Sequence, residues 1–294
     1  MYQFDYYRAQ SIQDVCGILG DLKSEGRIIA GGTDLMVQIR DRDARWKCVK
    51  TVVDITSLGN DLRYIRDCGG YIRIGALCTH TDLENSSLIK ENLPFVGTAC
   101  GMVGSPQIRN RGTIGGSICN ASPASDPLPP LIAADTFVEI TGTQGSRLVS
   151  IPDFYSSNGK TILKYGEFVT ALIINKFRNN TSCSFIKLGR RKALAISRLN
   201  VAVTLHTDEN GRIDDAAVSP GCVFRKPRRI APAEKMLAGS KPSEKVFHAA
   251  GIIVSDEVIR ETGIRWSTEY KKPVIAELVT EALCEAAKIE MRNL

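Results

Sequence analysis

Residues 30–35 read Ala30-Gly31-Gly32-Thr33-Asp34-Leu35, and residues 112–117 read Gly112-Thr113-Ile114-Gly115-Gly116-Ser117. The first stretch ends an apolar run, Arg27-Ile28-Ile29-Ala30, and opens into helical spacing, so it reads as a strand-to-helix turn. The second lies in a stretch from Gly101 to Pro130 that holds five glycines and five prolines and reads as a long ordered loop, a kind that is usually functional. Paired glycines let successive N–H groups turn toward an anion with no Cβ in the way. A helix N-terminus after the first pair adds the positive end of its dipole, and Thr33, Thr113 and Ser117 add hydroxyls. Two such loops suit a pyrophosphate gripped from both sides. Each pair alone is more often a plain turn. Neither matches G-x-G-x-x-G or G-x-x-x-x-G-K-[ST], which disfavours a Rossmann site or a Walker-type NTPase.

Outward from these motifs, the pattern predicts an α+β protein. Ser11 can cap a helix with Ile12, Val15, Leu19 and Leu22 at helical spacing, ended by Gly26. Strands are expected at 27–30 and 51–55, and a hairpin at 62–67 and 71–75 turns on Cys68-Gly69-Gly70. Helices follow from about Thr81 and from about Asn92 to Cys100. Strands resume at 136–141, 167–175, 184–188, 200–206 and 213–219, and a last helix runs from about Pro273 to Asn293. Arg178-Asn179-Asn180-Thr181 marks a boundary between residues 1–177 and 178–294, in line with two domains in 294 residues.

Composition narrows the function. Apolar residues make up 43% and charged residues 24%, as in globular chains. There is no apolar run of about 18 residues to cross a membrane, and Met1-Tyr2-Gln3-Phe4-Asp5 does not open a signal peptide, so a cytoplasmic location without membrane contact is expected. No two of the nine cysteines have zinc-ribbon or ferredoxin spacing, and the three histidines form no ligand pattern. Reduced, mostly buried thiols are therefore expected. The net charge of +6 falls wholly in residues 178–294, densest at Arg190-Arg191-Lys192 and Arg225-Lys226-Pro227-Arg228-Arg229. Without interleaved aromatics these clusters suit a solvated face or an acidic partner protein better than nucleic acid. No set of paired carboxylates, catalytic triad or metal ligands stands out, so covalent chemistry would have to come from a bound cofactor.

The run Asn120-Ala121-Ser122-Pro123-Ala124-Ser125-Asp126-Pro127 follows the second glycine pair. Asp126 reads either as an acceptor for sugar hydroxyls or as the cap of a helix beginning at Pro127. Asn120 and Ser125 read as turn formers or as hydroxyl partners.

Taken together in this order, A-G-G-T-D-L (30–35), G-S-P-Q-I-R-N-x-G-T-I-G-G-S (104–117) and N-A-S-P-A-S-D (120–126) resemble the FAD-binding subunit of the molybdenum hydroxylases, the xanthine dehydrogenase family, over essentially the whole chain. The resemblance implies a bilobal FAD domain of the vanillyl-alcohol-oxidase or p-cresol-methylhydroxylase type, with lobes at about 1–57 and 58–177. A smaller C-terminal α+β domain of antiparallel sheet and helices would fill 178–294. It implies that Ile28, Ile29, Ala30, Gly31, Gly32, Thr33, Asp34 and Leu35, with Thr113, Ile114, Gly115, Gly116 and Ser117, hold the pyrophosphate and adjoining groups. Gly104 would lie against the flavin, and Asn120, Ser125 and Asp126 would meet ribityl or ribose hydroxyls. Ile162 and Leu163 would pack on the ring system, and Lys187 would reach the cofactor from the second domain.

The implied function is electron transfer: FAD takes electrons from the 2Fe–2S clusters of one partner and passes them to NAD(P)+ or another acceptor. A second, molybdopterin-binding partner hydroxylates an N-heterocycle or aldehyde. FAD is expected to be the only cofactor of this chain, since the cysteine-rich insertion of the 4-hydroxybenzoyl-CoA reductase type is missing. Ser117 stands where many relatives have asparagine, which keeps the backbone but changes the side-chain donor. His80 lies near a flavin-proximal segment of the family, but an ordinary helix-start residue is the preferred reading. Two competing readings are a free-standing flavin reductase of the same fold, such as the enolpyruvyl-UDP-sugar reductases, and a nucleotide-binding or basic adaptor with no redox role.

Overall fold

A computed structural model describes residues 3–41, 43–157, 159–191, 194–264 and 268–291. Met1, Tyr2, Lys192 and Asn293, named above, lie outside the described residues. The chain is α+β, built on three sheets. The first is parallel, in the order β1 (Asp5–Arg8), β3 (Thr51–Asp54), β2 (Gly26–Ile29). The second is antiparallel, in the order β4 (Ile65–Asp67), β5 (Tyr71–Gly75), β8 (Phe168–Asn175), β6 (Phe137–Gly142), β7 (Gly145–Ser150). The third runs β11 (Ile213–Gly221), β10 (Ser197–Thr207), β9 (Thr181–Gly189), again antiparallel.

Local signals place the first sheet. Ser11 Oγ accepts from the Asp14 N–H at 3.1 Å and starts the helix Ile12–Leu22, whose Val15, Cys16 and Leu19 are buried. Those residues pack with Val53 and Ile55. Ile29, Leu35, Ile39, Trp46 and Val52 form a separate cluster. The short parallel strands are thus covered by different groups of side chains, and β2 ends where Ala30-Gly31-Gly32 begins.

The third sheet is the most deeply buried. Along β10, Leu199, Val201, Val203 and Leu205 join Phe247, Val254, Val279 and Leu283 of the helices Glu244–Thr262 and Thr268–Ala287. The alternate residue Ala202, with its cross-strand neighbour Phe185 and with Ala217 of β11, joins the core of the second sheet. β10 is thus buried on both faces, with the large apolar side chains on one and Asn200, Ala202 and Thr204 on the other.

The structure corrects several expectations. The stretch from Gly101 to Pro130 is not one loop: it folds into the helices Pro106–Arg109, Ile114–Asn120 and Leu128–Ala133. Ser105 and Thr113 cap the first two, and prolines occupy early positions of the first and third, which offsets the weak propensity of the glycines. The segment after Thr79 holds three helices, His80–Asn85, Ser87–Asn92 and Pro94–Gly101, because Thr79 and Ser86 each supply a cap. Strand β7 had no signal in the sequence, since it is an edge strand with no buried residue. The last helix is described from Thr268, so Pro273 lies inside it and the helix loses the bond a non-proline residue would make to the Glu269 carbonyl.

The basic cluster at 225–229 is only in part a solvated face: Arg225 is exposed, but the following cations are tied into the chain. Arg229 pairs with Asp135 at 2.6 Å and with Glu234 at 2.9 Å. Arg228 pairs with Glu261 at 2.5 Å, and Lys226 stands 3.7 Å from Asp153. Asp135 and Asp153 are far away in sequence, so most of the cluster's charge serves to join segments of the chain.

Candidate functional site

The two glycine motifs meet. A Cβ on Gly31 would fall 1.9 Å from the Arg111 carbonyl oxygen and 3.0 Å from the Gly112 Cα, so only glycine fits there. Gly32 has φ +73°, in the left-handed region that glycine enters without strain. Among the described residues, the N–H groups of Gly31, Gly32, Thr33 and Asp34 have no protein acceptor.

The second pair does a different job. Thr113 Oγ1 accepts from the Gly116 N–H at 3.1 Å, and the Thr113 carbonyl accepts from the Ser117 N–H at 2.9 Å. The Ile114 N–H donates to the Cys78 carbonyl at 2.8 Å and the Gly115 N–H to the Ala76 carbonyl at 3.0 Å. Gly115 lets the helix Ile114–Asn120 lie flush on the chain leaving β5, where a Cβ would come within 2.7 Å of Ala76 Cβ. Close packing, rather than open N–H groups, is what these glycines provide.

Between the motifs lies a cavity of about 1100 Å³, just above the roughly 300–1,000 Å³ usual for small-molecule and cofactor sites. Ile28, Ala30, Gly31, Gly32, Thr33, Asp34 and Leu35 line it from the first motif. Thr113, Gly115, Gly116, Ser117 and Asn120 line it from the second, with Gly104, Ser125, Asp126 and Leu163 from the segments around them. Four of the residues singled out in the sequence are not on this wall. Ile29 packs with Trp46 and Ile39, Ile114 is fully buried in the main core, and Ile162 packs against that core with its N–H on the Phe154 carbonyl. Ile29 and Ile162 alternate with wall residues along extended chain, whereas Ile114 opens the helix Ile114–Asn120 on its core side. Lys187 is the fourth, held just behind the wall by Asp126 and Met102.

Asp126 is the polar centre of this region. Its Oδ1 accepts from Ser197 Oγ at 2.5 Å and Asn200 Nδ2 at 3.1 Å, and its Oδ2 from Lys187 Nζ at 2.6 Å. Lys187 Nζ also donates to the Met102 carbonyl at 2.8 Å. The Lys187 and Asp126 side chains are 9% and 6% exposed, so the pair is buried. Asp126 does not cap the next helix, which starts after Pro127 with no side-chain cap. Asn120 Oδ1 accepts from Gln38 Nε2, whose Oε1 accepts from Trp46 Nε1, and Ser117 and Ser125 share a hydroxyl contact of 3.0 Å.

His80 is the first residue of the helix His80–Asn85, and it also lines the cavity at 3% exposure. Among the described residues, its Nδ1 has no hydrogen-bond partner. Burial, with Arg109 nearby, pulls its pKa down to about 4, so the ring is neutral at pH 7. Cys119 also lines the wall, and burial pushes its thiol up to about 12, which keeps it protonated and unreactive.

Sequence reading had no signal for several wall residues. Lys23, Arg27, Lys160 and Lys164 line the cavity where residues 160–167 approach the helix Ile12–Leu22; a Cβ on Gly166 would lie 3.2 Å from the Cys16 carbonyl oxygen. Leu194 and Ile196, 54% and 80% exposed, line it beside Asp126's partner Ser197. These residues come together only through folding, from segments that carry no motif.

Comparison with known proteins agrees with this architecture. The family model "FAD binding domain in molybdopterin dehydrogenase" matches residues 2–176, and "CO dehydrogenase flavoprotein C-terminal domain" matches residues 184–286. The chain is 34% identical over 276 residues to the nicotinate dehydrogenase FAD-subunit of Eubacterium barkeri, covering 92% of each protein. It is 30% identical to the nicotine 6-hydroxylase medium subunit of Paenarthrobacter nicotinovorans, covering 96% of each. Among solved structures it resembles a chain of the carbon monoxide dehydrogenase from Hydrogenophaga pseudoflava, with TM-score 0.89, 26% identity and 98% coverage of each. Family models spanning most of the chain, and a relative above 30% identity over nearly its full length, show that this chain belongs to the FAD-binding subunits of the molybdenum hydroxylase family, which are oxidoreductase subunits.

Proposed function

We propose that this chain carries FAD as the electron-transfer subunit of a molybdenum-dependent hydroxylase or dehydrogenase. In this reading it receives electrons from the 2Fe–2S clusters of one partner subunit while a molybdopterin-binding partner hydroxylates an N-heterocycle or an aldehyde. NAD(P)+ or another carrier takes the electrons onward. The observation that carries the reading is the cavity of about 1100 Å³, with four N–H groups at Gly31–Asp34 on its wall that have no acceptor among the described residues.

The residues present fit FAD. The N–H groups of Gly31, Gly32, Thr33 and Asp34, without acceptors among the described residues, suit a pyrophosphate. Lys23, Arg27, Lys160 and Lys164 add positive charge for a dianionic ligand. Ile28 and Leu163 offer apolar wall to ring systems, and Ser117, Asn120, Ser125 and Asp126 offer oxygens to hydroxyls. The neutral His80 ring, with an unpartnered Nδ1, adds a polar edge without adding charge. Bound FAD supplies the exchange between one-electron and two-electron carriers. The chain's own residues need only hold the cofactor, keep its surroundings apolar and leave one face open. No side chain has to act as a nucleophile.

We assign the FAD site to residues 1–177, with lobes at about 1–57 and 58–177, and we assign 178–294 to a C-terminal domain that backs it. The nine cysteines, none in a disulfide, suit a reducing cytoplasm, and among the described residues no helix is long and apolar enough to cross a membrane. Co-expression with the two partner subunits tests the assembly. A stable yellow heteromer that reduces NAD(P)+ with an N-heterocycle or aldehyde is expected; a chain that binds FAD and never co-purifies with either partner would contradict the electron-transfer role.

A further inference from the structure

The Asp126 carboxylate lies on the cavity wall, yet every hydrogen bond the structure gives it comes from the third sheet: Lys187 on β9, and Ser197 and Asn200 on β10. Asn200 is fully buried. Its amide occupies space left by Gly221 on β11, where a Cβ would fall 1.9 Å from Asn200 Oδ1. Cys222, next along, donates its N–H to the Pro123 carbonyl at 3.0 Å and points its Sγ at the Ser197 carbonyl. All three strands of the sheet therefore converge on residues 123–126.

We propose that Asn200, together with Ser197, is a positioning residue for the cofactor site. It acts through Asp126 and supports FAD binding from outside the FAD domain. A buried carboxylate keeps its charge and direction only when its lone pairs are met. Lys187 meets Oδ2, and Ser197 and Asn200 fix Oδ1, so the group cannot rotate about its last torsion. This holds Asp126 at the wall, with the Lys187 ammonium bridged to Met102, one residue before Val103 on the same wall. Gly221 is part of the device, since any side chain there would expel the Asn200 amide.

The inference rests on the FAD reading, and titration of the full-length apo-chain with FAD separates the two. Asn200→Ala should weaken FAD binding by roughly tenfold in the otherwise unchanged chain, the effect of losing one hydrogen bond to a charged group. In an Asp126→Ala/Lys187→Met background, where there is no carboxylate to position, the same substitution should change the affinity by less than about twofold. Ser197→Ala, a smaller change that keeps the fold, should show the same dependence on background. Equal factors in both backgrounds, or no effect in the unchanged chain, would overturn the proposal and leave FAD binding intact. An unchanged chain that takes up no FAD would overturn the cofactor reading itself, and this inference with it.

Discussion

A Cβ on Gly31 would sit 1.9 Å from the Arg111 carbonyl oxygen, so the two glycine motifs, eighty residues apart in sequence, touch through their backbones. That contact builds one wall of the cavity. Gly31→Ala forces the two segments apart, because neither atom in the clash belongs to a flexible side chain. It should lower stability by about 2 kcal/mol or more and abolish FAD retention. Gly116→Ala meets only Thr113 Oγ1, at 2.9 Å, and should cost about 1 kcal/mol through the weakened cap while FAD binding largely survives. Thermal melts with and without FAD rank the two. Equal losses of binding would show that the second pair also contacts the phosphates.

His80 makes stability depend on pH in a defined window. Its folded pKa is about 4 and its unfolded value is near the ordinary 6.5, so the unfolded chain takes up the proton first as pH falls. The cost of keeping the ring neutral is nil well above 6.5 and grows as pH drops toward 4. Relative to His80→Asn, the wild-type chain should lose about 2 kcal/mol between pH 7 and pH 5. Urea denaturation at the two pH values measures this. A difference between the two proteins that does not change with pH would mean the imidazole is not buried as described.

Breaking the Lys187–Asp126 pair from one side should be worse than removing it whole. Lys187→Met leaves the carboxylate buried without its counter-charge and should destabilise the chain by about 3–5 kcal/mol. Asp126→Asn/Lys187→Met should recover much of that loss. Equilibrium unfolding of the single and double variants decides it. A double variant as unstable as the single one would show that packing, not charge balance, governs the site.

The basic residues at 225–229 should matter for stability rather than for recognition. Arg229 bonds to Asp135, Glu234 and the Ala216 carbonyl, so Arg229→Ala should cost roughly 1–3 kcal/mol. Calorimetry of the isolated chain checks this. Unchanged stability with impaired assembly would return the cluster to the role of a partner surface.

The sequence carried much of this fold because its signals were local. Ser11 before Ile12, the Gly69-Gly70 turn and the alternation along 199–205 each settle an element by short-range physics. What it concealed depends on long-range contacts. Nothing near Asp126 says that its partners are Lys187, Ser197 and Asn200, and capping was an equally good local reading. Likewise Gly115 and Gly116 look like an open phosphate loop until the Thr113 cap and the Ala76 contact account for their N–H groups. Arg228 and Arg229 read as surface charge because Asp135 and Glu261 are remote in sequence.

The measurement that bears most directly on the central claim is the visible spectrum of the purified chain, followed by mass analysis of what acid precipitation releases. A flavin spectrum is expected, with FAD released at close to one per chain and lost from Gly31→Ala. A colourless chain that takes up no added FAD would contradict it.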